Sequence, residues 1–189
     1  MSFVAFFGVA LGLRATSVTP PSFTELVGEA DAIARVTVTS VESRWVDTAQ
    51  AHVIKTFVTF SVDHVLKGAP ANPLTLEFLG GTVGADAMRV AGMPQFQTGQ
   101  HEIVFVQGNG VQFCPLVRFG HGRYHVRTDA RSKRSFVTRN NGAPLAAPAD
   151  VQLPAEDAAA TASAASADTA ITPEQFESAI AAQVAHQTK

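Results

Sequence analysis

The sequence predicts an all-β domain, a small barrel or sandwich, followed by a short C-terminal helix. Three observations carry this: apolar residues recur with period two over several segments, glycine-rich turns separate those segments, and no long stretch of helical period lies between them. The 189 residues suffice for one core with an appendage, and the charge is near balance at -2. No uninterrupted apolar run approaches the roughly 20 residues needed to cross a bilayer, which excludes a multispanning membrane protein.

From Ala32 to Val38, Ala32, Ala34, Val36 and Val38 share one face while Arg35 and Thr37 take the other. That is the pattern of a strand with one covered face. A second strand runs from Val53 to Val65, with Ile54, Val58, Phe60 and Val62 inward, and the polar Glu42 to Gln50 segment predicts a generous hairpin loop. Lys67-Gly68-Ala69-Pro70 ends it, and Leu74, Leu76 and Phe78 mark a third strand that stops at Gly80-Gly81. Residues 80–99 carry Gly80, Gly81, Gly84, Gly92, Pro94 and Gly99, so they predict an irregular excursion or a pair of very short strands. Within it, Met93 and Phe96 either cap one end of a barrel or stand exposed as apolar anchors for a partner. Ile103 to Val106 is a nearly continuous apolar strand closed by Gly108-Asn109-Gly110. Phe113 to Phe119 and Arg123 to Thr128 predict two strands around a tight turn at Gly120-His121-Gly122. A last short strand covers Ser135 to Thr138, before Asn140-Asn141-Gly142.

Three segments frame this β domain, which is placed at residues 23–140. Residues 1–20 include the apolar run Phe3 to Leu13 and a small-residue exit near Ala15 to Ser17, which predicts a secretory leader and a secreted or periplasmic protein. Arg14 follows the apolar run instead of preceding it, and the other reading is a buried first element of a cytosolic protein. Residues 141–170 read as an Ala/Pro-rich linker: 13 of the 28 residues from Ala143 to Ala170 are Ala and no stripe of large side chains anchors them. Residues 171–187 predict a short amphipathic helix with Thr172 as N-cap, Pro173 at the first position, Gln175 closing the cap, and Phe176, Ile180 and Val184 along one stripe.

The order Ala30-Asp31-Ala32-Ile33, a long strand, Thr56 to Val62, Leu66-Lys67-Gly68, a strand, a glycine-rich loop, Thr98-Gly99-Gln100 and Ile103-Val104-Phe105 resembles an uncharacterised family of secreted bacterial β domains. More distantly, it is similar to the netrin-like module of tissue inhibitors of metalloproteinases. The resemblance spans residues 23–126 and implies a five-stranded OB-type barrel, so that the fold expected is a small OB-like or netrin-like barrel with a C-terminal helix. Those inhibitors use an amino-terminal Cys on the protease zinc and are held by disulfides. This chain has a single Cys, Cys114, so inhibition by that route is not implied.

Local chemistry is sparse. His121, His125 and Asp129 are spaced by four, but the turn and the strand alternation separate them, and His125 is expected on a solvated face with Arg123 and Arg127 while Tyr124 faces the core. Cys114 sits between Phe113 and Pro115-Leu116, the setting of an inert small hydrophobe. Asp31, Asp63, Glu77 and Glu102 are dispersed, His52, His64 and His101 are isolated, and no phosphate loop, nucleophile elbow or zinc helix occurs. No metal, cofactor or catalytic residue is therefore expected.

Charge is more informative. Of the 14 Lys and Arg residues, half fall between Arg118 and Arg139: Arg118, Arg123, Arg127, Arg131, Lys133, Arg134 and Arg139. The functional expectation is a non-enzymatic protein-interaction domain of unknown partner, using Met93 and Phe96 together with Arg118, Arg123, Arg127, Arg131, Lys133 and Arg134. The alternative is a single-stranded nucleic-acid or polyanion-binding module that uses the 118–139 basic segment.

Overall fold

A computed structural model describes residues 19–153 and 168–188. Helix α1 (Phe23–Glu29) is followed by the long strands β1 (Ala32–Asp47) and β2 (His52–Lys67), then β3 (Leu74–Leu79), the short hairpin β4 (Gly81–Val83) and β5 (Asp86–Met88), β6 (His101–Val106), β7 (Arg123–Thr128), β8 (Ser135–Arg139) and helix α2 (Pro173–Gln187). The apolar run and the small-residue exit of the expected leader, residues 3–17, lie outside the described residues. No helix among the described residues is long and apolar enough to cross a membrane.

Six strands form one antiparallel sheet in the order β3-β2-β1-β6-β7-β8, and β4-β5 forms a separate two-stranded ribbon. The fold class expected from sequence is thereby corrected. The sheet is open, with β3 and β8 at opposite edges, so the OB-like or netrin-like closed barrel is not formed and the domain is not all-β. The physical reason lies at the edges, where loops already satisfy the outer backbone groups that barrel closure would pair. On β3, Leu79 N–H donates to the Phe113 carbonyl at 2.8 Å, and the Asn109 side chain bridges Glu77 N–H and the Thr75 carbonyl at 3.2 and 2.8 Å. On β8, Arg139 N–H donates to the Ala143 carbonyl at 2.8 Å and Val137 N–H to the Ile171 carbonyl at 3.0 Å.

Both faces of the sheet are covered. Along β6, Ile103 and Phe105 point to one side and join Leu26, Tyr124, Phe176 and Ile180 in a core beneath the two helices. Val104 and Val106 point to the other side and join Val58, Phe60, Leu76, Phe78 and Phe96. A strand buried on both faces reads as a continuous apolar run, which is why Ile103 to Val106 shows no alternation. Leu145 and Val151, inside the stretch expected as linker, belong to the helix-side core, and Ala143 beside them is buried.

Several elements depart from expectation. Helix α1 starts at a capping box in which Ser22 Oγ accepts from Glu25 N–H and the Glu25 carboxylate accepts from Ser22 N–H. The polar segment after Val41 is strand, not loop: Ser43 pairs with Thr56, Trp45 with Ile54 and Asp47 with His52, leaving a turn only at Thr48 to Ala51. A register shift between Val38 and Ser40 moves the inward set from even to odd positions, so Val41 follows Val38 on the same face. Residues 113–119 form no strand. They touch β6 at a single bridge, Val106 to Leu116, and end in a 3-10 turn over Phe119–Gly122.

Candidate functional site

The chain crosses the β1-β2 ribbon directly after β3, and this crossing opens the cavity that constitutes the candidate site. Gly80 N–H donates to the Ile54 carbonyl at 2.7 Å, and Thr56 Oγ1 donates to the Gly80 carbonyl at 2.7 Å. Gly81, with φ of 138°, lies so close to the ribbon that a Cβ would meet Ser43 Oγ and Thr56 Oγ1 at 2.4 Å, so only glycine passes here. The β4-β5 hairpin then overhangs the sheet, and the return segment closes the opposite wall.

Between them lies a cleft of about 340 Å³. Val41 and Val58 form its sheet side, Met88, Val90 and Met93 its outer wall, and Phe78 and Phe96 its floor, with Thr56, Arg89 and Gln95 supplying polar groups. Phe96 is only 8% exposed and packs against Phe60 and Phe78 at ring distances of 5.6 and 5.2 Å. Of the two apolar anchors expected from sequence, Met93 is half-buried on the wall, whereas Phe96 is part of the core.

Behind Phe96 lies a buried ionic cluster that the sequence did not reveal. The Arg123 guanidinium stacks on the Phe96 ring at 3.9 Å, donates to the Glu102 carboxylate at 2.8 Å, and reaches the Gln95 carbonyl at 2.7 Å and Gln100 Oε1 at 3.0 Å. His125 Nδ1 lies 2.9 Å from Glu102 Oε2. Glu102, Arg123 and His125 are all buried, which corrects the expectation of a solvated His125 sharing an outward face with Arg123. The cause is the cross-strand pairing of Glu102 with His125, which puts both on the face packed beneath Gln95 and Phe96. Arg123 thus ties the cleft floor and the return segment to the sheet.

The basic segment does not form one patch. Arg118, in the left-handed region with φ of 44°, makes ion pairs with Glu25 and Glu29 of α1 at 3.1 and 2.5 Å. Arg134 donates to the Ala170 carbonyl at 2.5 Å, and the buried Arg139 to the Leu153 carbonyl at 2.7 Å. Arg127, Arg131 and Lys133 are exposed. Guanidinium groups that read as a binding surface thus largely fasten α1, the return segment and the residues flanking the Ala-rich stretch.

Cys114 is buried, and burial pushes its thiol up to about 11, the opposite of what a nucleophile needs. No cluster of His, Cys, Asp and Glu among the described residues has the geometry of a metal site. The Asp129 carboxylate is engaged within its own turn, where it accepts from the N–H groups of Arg131 and Ser132. Comparison with protein families, with characterised proteins and with solved structures finds no match to this chain, so the resemblance to secreted bacterial β domains and netrin-like modules is overturned together with the barrel it implied.

Proposed function

We propose that the chain is a secreted or periplasmic, non-enzymatic protein-interaction domain that receives an apolar side chain of its partner in the cleft beneath the β4-β5 hairpin. The observation that carries this reading is the cleft itself: about 340 Å³, walled by Val41, Val90 and Met93 and rimmed by Arg89 and Gln95. Its size is at the low end of the range of ligand pockets, about 300–1,000 Å³, and suits roughly one or two large side chains. The apolar run from Phe3 to Leu13 supports the extracytoplasmic placement. Polyanion binding would have to rely on Arg127, Arg131 and Lys133, few cations for a salt-sensitive interface.

The test starts from a partner captured by mild crosslinking in the native host and then measured in solution. Met93→Asp is expected to weaken binding at least about tenfold, because a carboxylate in an apolar contact must be desolvated. Raising the salt should change affinity little. Binding that is indifferent to Met93→Asp but collapses with salt, and with neutral residues at Arg131 and Lys133, would replace this reading with the polyanion one.

A further inference from the structure

Most outer edges of the main sheet carry cover. Loops shield β3 and β8, and the Asn72 side chain takes both the N–H and the carbonyl of Val62 where β2 runs past β3, at 3.2 and 3.4 Å. β1 differs. Strand β6 pairs with it only from Ala32 to Thr37, and Gly99 and Gln100 bond Val38. From Thr39 to Asp47 no strand among the described residues hydrogen-bonds to that edge; β4 crosses the face of the ribbon at Ser43 without pairing with β1. The stretch contains neither the Lys nor the Pro that commonly blunts a free edge.

We propose that this edge pairs with the same edge of a second copy, antiparallel and centred on Ser43, to join two sheets into one. The sequence on the edge is self-complementary in that register. Glu42 of each copy faces Arg44 of the other, and Val41 of each faces Trp45 of the other. Opposite charges and an aromatic beside a β-branched residue are favourable cross-strand pairs, and each occurs twice because a two-fold contact is isologous. Centring on Glu42 or on Arg44 instead would set like charges face to face. The side chains are already placed for it. Val41 and Trp45 are 37% and 39% exposed on the cleft side, and on the other side Arg44 is held over the Phe57 ring at 3.9 Å. The two-fold axis stands perpendicular to the joined sheet, so both clefts open on one face and Trp45 of each copy comes beside Val41 at the rim of the other's cleft. This inference does not depend on what the cleft binds.

The test is sedimentation velocity of the full chain over about 1 to 100 μM. A monomer–dimer equilibrium is expected. Glu42→Arg alone and Arg44→Glu alone should each weaken it at least about tenfold, because each sets like charges opposite. The double variant Glu42→Arg/Arg44→Glu should restore it, since the swap recreates both pairs while leaving Phe57 without its cation. Circular dichroism of each variant separates loss of pairing from loss of fold. Amide exchange on the unmodified chain gives an independent reading, with protection of residues 39–47 rising with concentration. A monomer at all concentrations, a dimer indifferent to the single changes, a double variant that does not recover, or protection independent of concentration would overturn the proposal.

Discussion

Glu102 is fully enclosed, and its carboxylate is matched by the Arg123 guanidinium and the His125 ring on the neighbouring strand. Charges removed from water are tolerated only when paired, and breaking such a pair from one side costs about 3–5 kcal/mol. Arg123→Met is therefore expected to destabilise the fold by about 3 kcal/mol in urea denaturation. Glu102→Gln added to it should recover part of the loss, because the orphaned charge is then gone. A loss of less than about 1 kcal/mol for Arg123→Met would place Glu102 in contact with water instead. None of this was legible locally. Glu102 precedes an apolar strand and Arg123 follows a turn, as ordinary surface residues do, and only the register between β6 and β7 brings them together. The alternation Arg123, Tyr124, His125 was legible, but with both faces of the sheet covered, alternation no longer distinguishes inside from outside.

At the scale of elements, the helix caps show what short-range chemistry can specify. Thr172, Pro173 and Gln175 mark the start of α2, where the Thr172 side chain accepts from Gln175 N–H at 3.3 Å. Ser22 and Glu25 carry the same signal for α1, and Phe23, Leu26, Val27 and Ala30 fall at the spacing of a buried helical face, but two turns are too short for that spacing to stand out from the sequence. Hydrogen bonds from Ser22, then from Arg118, hold the Glu25 carboxyl well below its ordinary 4.5, at about 2. A depressed carboxyl pKa contributes stability above the unfolded value and loses it as pH falls through the folded one. The cap is thus expected to be intact above pH 4.5 and to be lost as pH falls toward about 2, as read from the Glu25 carboxyl resonance and the exchange of α1 amides. Ser22→Ala, which removes the hydroxyl but keeps the N–H of residue 22, should move that midpoint part of the way up toward 4.5; an unchanged midpoint would assign the shift to that backbone N–H and to Arg118. Strand limits were less legible. The β1-β2 ribbon extends past the edge of the core, where polar residues on both faces imitate a loop.

For the whole molecule, strands β1 and β6 contribute to both cores, so neither face can open without the other losing its support. Unfolding should be one cooperative event. Cys114 reports on it from the far side of the sheet from the helices. Iodoacetamide at pH 8 should label Cys114 only as fast as the entire fold opens, with the same urea dependence as the circular dichroism signal. Rapid labelling of the native chain would show that the face bearing the cleft opens by itself.

Local sequence alone accounts for the strand-rich character, the ends of β2, β3 and β6, the cap of α2 and the apolar identity of β6, because these depend on neighbours a few residues apart. It also placed Met93 beside a glycine-rich crossing. The tertiary structure alone decided that the sheet stays open, that Phe96 and Arg123 are interior and that basic residues anchor helices and loops. Those outcomes depend on which loop reaches which edge and on a one-residue shift at Val38, long-range contacts to which many local sequences are equally suited.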